Sequence, residues 1–247
     1  MEQRDSAKRR GPRPAVLRAA APEPAELAAD RAGALALVPV SRETTDRLDR
    51  FVALLLDWQR RINLIAPSTE PVLWTRHIAD SLQLLPLAPD ARVWADLGAG
   101  AGFPGLVVAC ALAGTQGARV HLVESNTKKA AFLSEVARTL GVPATVHATR
   151  IAEFVKKPPE RIEVVTARAV APLADLLAAA YPLLIKGAVG LFPKGQAVEA
   201  ELTEAAKCWS IQASLAPSRT DPKARIVVVR GLEPKPAAQV IRRSAKR

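Results

Sequence analysis

From Ser41 onward, apolar residues recur at spacings of three and four: Leu48, Phe51, Val52, Leu55, Trp58 and Ile62. That period belongs to an amphipathic helix with one buried stripe, and Ser41, with Glu43 in the first turn, is a suitable N-cap. A second helical period covers Pro71 to Leu85, with Leu73, Ile78, Leu82 and Leu85 inward and Pro86 closing it. From Arg92 the pattern changes to short apolar runs separated by helical stretches. Strands are predicted at 92–96, 119–124, 144–147, 162–166 and 188–192, with helices at 104–113, 127–140, 172–185 and 197–207. Two further strands, 210–215 and 225–230, are joined by the turn-rich SRTDPK without a helix. Alternating strands and helices predict a parallel sheet, and the final pair predicts an antiparallel edge.

The expected organisation is therefore α/β with a helical lead-in. Residues 1–40 are Ala-, Pro- and Arg-rich, lack aromatics and show no sustained period, so they are expected to be largely disordered. Residues 41–90 form the lead-in, 91–232 the sheet domain and 233–247 a basic, flexible tail. The net charge is +11, but residues 1–20 carry +4 of it and residues 235–247 carry +5, leaving +2 for everything between. Basic tails suit a polyanionic partner through counterion release, and they equally suit a solvated appendage. The longest apolar run beside the motif below, Leu106 to Gly114, is far shorter than the roughly 20 residues of a membrane span. No secretory or transit pattern is present at the N-terminus, so a cytoplasmic location without a membrane partner is expected. Cys110 and Cys208 have neither CxxC spacing nor a His cluster, which argues against a disulfide or a metal site; both are expected to be buried free thiols.

The candidate chemistry lies at Val93–Gly105, VWADLGAGAGFPG. An apolar strand ends in an acid and a glycine-rich turn leads into a helix at Pro104, which places a ligand pocket at the carboxyl end of the strand. Gly98, Gly100 and Gly102 permit positive φ and close backbone approach. Glu124 ends the next strand, 22 residues beyond Gly102, about where an acid binds ribose hydroxyls. Asp96 has two open roles: anchoring the loop's N–H groups or touching the ligand. Gly100, Gly102 and Gly105 also satisfy GxGxxG, so an NAD-dependent oxidoreductase stays a reading of this loop, and a non-catalytic RNA-binding module is a third. The DLGxGxG pattern with an acid after the following strand is similar to class I S-adenosylmethionine-dependent methyltransferases, whose Rossmann-like fold has a mostly parallel seven-stranded sheet.

A narrower resemblance follows from several ordered segments. RINLIA, RHIADSL, DLGAGAGFPG, VESNTKKAAFL, TRIAEF, TARAVAPLADLL and PKGQ, spread over about residues 43–232, resemble the small-subunit ribosomal RNA guanine-N7 methyltransferases of the GidB family. The resemblance implies S-adenosyl-L-methionine as cofactor, guanine 527 of 16S ribosomal RNA as target, and the RNA or a precursor of the small ribosomal subunit as partner; a monomer is expected. It also implies cofactor contacts from Gly98, Phe103, Ile151, Ala152 and Arg168. Arg168, flanked by alanines, needs an anionic partner: a ligand carboxylate, an RNA phosphate or a structural acid such as Asp175. His77 and Asp80, three apart on one helical face, can bond each other. Lys194 and Gln196 follow the fifth strand on the pocket side. Trp94 departs from the family, which commonly has a smaller or aliphatic residue there. Guanine N7 carries a free lone pair, so the resemblance implies in-line transfer with no general base, and no catalytic residue is assigned. The segment after the fourth strand is TARAVAP rather than the D/N-P-P-Y/F of exocyclic-amine methyltransferases, and no cysteine is placed for attack on a pyrimidine.

Overall fold

The computed structural model describes residues 23–235, and its first element lies where order was not expected: α1 (Pro24–Leu37). Its Ala-, Pro- and Arg-rich composition, without aromatics or a sustained period, predicts disorder. Alanine and leucine are strong helix formers, however, and a proline in the first turn suits a helix start. Burial of Ala34 and Val38 then docks the helix on the lead-in. Residues 1–22 and 236–247, which carry most of the predicted tails, lie outside the described residues.

α2 (Arg42–Gln59) is capped by Ser41, whose Oγ accepts from the Thr44 amide at 3.2 Å. Its buried stripe is Leu48, Phe51, Val52, Leu55 and Gln59. The helix stops at Gln59, short of Ile62. The predicted second helix is broken into a π-helical turn (Trp74–Ala79), the short α3 (Asp80–Leu82) and a 3-10 turn (Leu85–Leu87), with another 3-10 turn (Pro67–Thr69) ahead of it.

The sheet domain alternates as predicted: β1 (Val93–Leu97), α4 (Gly105–Leu112), β2 (Arg119–Val123), α5 (Thr127–Leu140), β3 (Ala144–His147), α6 (Ile151–Lys156), β4 (Val164–Thr166), α7 (Leu173–Leu184), β5 (Val189–Lys194), α8 (Val198–Cys208), β6 (Trp209–Pro217) and β7 (Arg225–Pro234). The strand order is β3-β2-β1-β4-β5-β7-β6. β1 to β5 pair in parallel, whereas β7 runs antiparallel to both β5 and β6. The short α6, at TRIAEF, is an element the periodicity did not supply.

All of β1 is buried, as a parallel strand covered on both faces must be. Trp94 points into the core shared with α2, α4 and the lead-in, while Val93, Ala95 and Leu97 point into the core beneath α7. Trp94 is accommodated by donating its indole N–H to Ala91 O at 3.1 Å. Cys110 is buried, but Cys208, the last residue of α8, is exposed, correcting the expectation of two buried thiols. The chain proceeds from β1 outward to β3, then returns to β4 on the other side. This reversal opens a crevice at the carboxyl ends of β1 and β4, where open α/β sheets bind ligands.

Candidate functional site

The crevice opens into a cavity of about 1010 Å³. That is at the upper end of the roughly 300–1,000 Å³ of ligand pockets. One wall is backbone. Gly98, Gly100 and Gly102 have φ of 77°, 55° and 90°, a region that costs L-residues about 1–2 kcal/mol each. A Cβ on Gly98 would stand 2.8 Å from Val170 Cγ2. Gly105, the third glycine of GxGxxG, has a packing reason: a Cβ there would strike Leu122 and stand 2.7 Å from Asp96 Oδ2.

Two carboxylates hold this loop from below and behind. Asp96 is fully buried and accepts from the Gly105 amide at 2.9 Å through Oδ2; its Oδ1 has no hydrogen-bond partner among the described residues. Burial pushes its pKa up to about 7, against the opposing pull of the Gly105 N–H and Arg168. Of its two open roles, the geometry gives it the anchor, beneath the cavity rather than lining it. Glu124 lines the cavity and also anchors: Oε2 accepts from Gly100 N at 2.9 Å and Oε1 from Asn126 N at 2.7 Å. Capping of α5 falls to Asn126, whose Oδ1 accepts from Lys128 and Lys129.

The opposite wall is made of side chains from distant segments. Arg168 follows β4 with 17% of its side chain exposed. It donates to Arg76 O at 2.9 Å, to His77 Nδ1 at 2.6 Å and to Asp80 Oδ2 at 3.3 Å. A guanidinium has no acceptor, so His77 Nδ1 must present its lone pair, and Nε2–H donates to Thr69 Oγ1 at 3.0 Å. Burial, with Arg168 and Arg76 nearby, lowers the His77 pKa to about 3, so the ring is neutral. It stacks on Phe103 with centroids 4.8 Å apart, and Arg168 lies 5.4 Å from that same ring centroid.

The predicted bond between His77 and Asp80 does not form. The π-helical turn alters their spacing, and Arg168 bridges them instead. Asp80, not Asp175, is the acid that pairs with Arg168. Asp80 Oδ1 is shared by Gln83 Nε2 and Thr220 Oγ1, each at 2.8 Å. Ala169, next to Arg168, has φ of 54°, a left-handed strain held at the cavity mouth.

Gly98, Gly100, Phe103, Glu124 and Arg168 thus line one cavity. Lys194 joins them, donating to Ala171 O at 2.9 Å and to Glu201 Oε2 at 2.8 Å. Gln196 is exposed and outside the lining. Ile151 and Ala152 open α6 and do not line the cavity; Ile151 is half-buried in the core and Ala152 is exposed.

Residue-by-residue reading missed Gln59. Its Oε1 accepts from Leu64 N and Ile65 N at 2.8 and 3.2 Å, and its Nε2 donates to Ile65 O and Glu70 Oε1. It thereby folds RINLIA so that Leu64, Ile65 and Ala66 line the cavity. The signal was present: Gln59 falls four residues after Leu55 on an apolar stripe, where a polar side chain must find partners. Ser218, in the β6–β7 connection, and Arg225, the first residue of β7, are also in the lining and carry no such signal.

Among the described residues, no group of three or more His, Cys, Asp or Glu could hold a metal, and no helix is long and apolar enough to cross a membrane. Residues 44–224 match the family model described as rRNA small subunit methyltransferase G. A Bradyrhizobium sp. (strain ORS 278) protein named ribosomal RNA small subunit methyltransferase G is 59% identical over 208 residues, covering 84% of this chain and 94% of that one. A protein of the same name from Nitrobacter hamburgensis is 58% identical over 206 residues, covering 83% and 79%. Among solved structures, cofactor-bound Rv0187 from MTB superposes with TM-score 0.54 at 15% identity, covering 84% of this chain and 98% of that one. A Geobacter sulfurreducens methyltransferase does so with TM-score 0.51 at 14% identity, covering 81% and 96%. These two share the fold.

Proposed function

The chain belongs to the rRNA small subunit methyltransferase G family, and we propose on that basis that it methylates N7 of guanine 527 in 16S ribosomal RNA. The cofactor is S-adenosyl-L-methionine, as in the family, and when bound it supplies an electrophilic methyl group on a sulfonium. The residues present fit it. The glycine wall has no Cβ where a ligand must approach, and Glu124 stands behind it at the end of the second strand. Arg168 is a largely buried cation whose only carboxylate contact among the described residues is a single 3.3 Å bond to Asp80, which leaves it suited to the carboxylate of an amino-acid tail. Ile151 and Ala152, at the head of α6, are assigned to the adenine side from the family pattern. Close packing at Gly105 is what a dinucleotide loop would also need, so the family match, not the loop, decides against the NAD reading.

The observation that carries the N7 assignment is the state of the cavity's possible bases. His77 is neutral and engaged at both nitrogens. Asp80 accepts from Gln83, Thr220 and Arg168, Glu124 from Gly100 and Asn126, and Glu201 from Leu173 and Lys194. Each is committed to the chain's own donors, whereas a general base must be within reach of a substrate proton. Guanine N7 needs none removed. What these residues do instead is align the acceptor and exclude water, and alignment accounts for about 7–11 kcal/mol of barrier lowering in favourable cases. Arg76, Lys194 and Arg225 also line the cavity, and we place the target nucleotide against them, its phosphates facing these cations. We take the enzyme to act as a cytoplasmic monomer.

Nucleoside mass spectrometry of 16S ribosomal RNA tests this. Cells lacking the protein should lose N7-methylguanosine at position 527. Its persistence would reject the assignment.

A further inference from the structure

We propose that Asp30, on α1 and outside the family-matched residues 44–224, is a positioning residue that sets the Arg168 guanidinium. The inference rests on the reading that Arg168 holds the cofactor's carboxylate. Asp30 is 44 and 45 residues from the groups it caps. Its Oδ2 accepts from Trp74 N at 2.7 Å, and both oxygens accept from Thr75 N at 3.3 Å. These two amides open the π-helical turn, where first-turn N–H groups have no partner within the turn itself.

The next residue, Arg76, presents the carbonyl that receives Arg168 NH1, and His77 after it receives NH2. The path from Asp30 to the guanidinium is therefore short: one carboxylate, two adjacent amides, one carbonyl and one imidazole. Within this chain α1 has its own hold on the turn. Arg31 makes a two-point pair with Asp49 at 2.6 and 2.7 Å and lies 5.3 Å from the Trp74 ring centroid. Arg219, beside the Ser218 that lines the cavity, donates to Leu37 O at the other end of α1. A helix that precedes the family match thus grips both the turn that carries His77 and the loop that carries Thr220.

If Asp30 acts through Arg168, its loss should weaken ligands with a carboxylate tail and spare those without one. Calorimetric titration with S-adenosylhomocysteine and with 5′-methylthioadenosine, which keeps the nucleoside and thioether but lacks the amino acid, separates the two. Asp30→Ala should reduce the preference for S-adenosylhomocysteine about fivefold, the weight of a lost cap, with methylthioadenosine affinity unchanged. Asp30→Asn keeps a carbonyl acceptor and should restore the preference to within about twofold. Asp30→Glu keeps the charge but displaces it, and should reproduce the loss if the alanine variant does not fold. Arg31→Ala, which loosens α1 without removing the cap, should lower the melting temperature and leave the preference intact. A preference unchanged in folded Asp30→Ala or Asp30→Glu overturns the proposal, as does an equal loss in Arg31→Ala. Equal binding of the two ligands by the unaltered protein would instead reject the reading of Arg168, and the proposal with it.

Discussion

The two walls of the cavity are built of different material. The Val93–Gly105 wall is one continuous segment whose shape is set by backbone: three positive-φ glycines, one glycine with no room for a methyl, and two carboxylates bonded to its amides. The facing wall has almost no continuous segment. It assembles Gln59, Thr69, His77, Asp80, Arg168 and Thr220 from six elements or loops, through side chains. The first is steric and local, so a single added atom should break it. The second is electrostatic and distributed, so it should fail when a partner is removed rather than when bulk is added.

The largest effect should therefore come from the second wall. Asp80→Ala leaves the Arg168 guanidinium without its carboxylate at 17% side-chain exposure, and removing one partner of such a pair costs about 3–5 kcal/mol. Urea unfolding reads this directly; a loss below about 1 kcal/mol would mean that Arg76 O and His77 suffice. In the first wall, Gly105→Ala should cost about 1–3 kcal/mol, since its Cβ meets Leu122 and Asp96. A melting temperature equal to that of the unaltered protein would show that α4 can slide away from β2.

Acid titration distinguishes the walls by sign. His77, lowered from 6.5 to about 3, stays neutral in the fold while the unfolded chain takes up a proton, so it destabilises the protein as pH falls from 6.5 towards 3. Asp96, raised from 3.8 to about 7, holds its proton in the fold while the unfolded chain releases it, so it destabilises as pH rises from 3.8 towards 7. Each slope is at most about 1.4 kcal/mol per pH unit, and between 3.8 and 6.5 they oppose. Asp96→Asn should make stability fall more steeply on acidification from pH 6.5 to 4.5, and His77→Gln should reverse the trend; parallel curves for the two variants would refute the assignment. The smallest effect should lie outside both walls. Gly33 sits within α1 with nothing within 4 Å of an added Cβ, so Gly33→Ala should stabilise by about 0.5–1 kcal/mol in thermal melts.

The contrast also explains what could be read along the chain. The sheet, its antiparallel edge pair and the glycine wall depend on short apolar runs, turn residues, local φ requirements and an acid at a fixed separation, all legible along the chain. Asp96 and Glu124 were identified, although both turned out to grip the loop itself. His77, Asp80 and Arg168 were each singled out, but their mutual contact was not legible, because it depends on a π-helical turn that shifts spacing and on 88 to 91 residues of intervening chain. Composition misled for α1, where an Ala-, Pro- and Arg-rich stretch without aromatics predicts disorder but its alanines serve as helix formers. Asp30 had no local signature, since its partners are 44 residues away.

Our proposal makes this cavity a device for aligning an acceptor that needs no deprotonation. Single-turnover methyl transfer from S-adenosylmethionine to small-subunit RNA, with 7-deazaguanosine in place of the guanosine at position 527, tests it most directly. Replacing N7 by carbon keeps the base's shape and its Watson–Crick edge. Transfer should occur to the unmodified RNA and not to the substituted one; equal methylation of both would overturn the proposal.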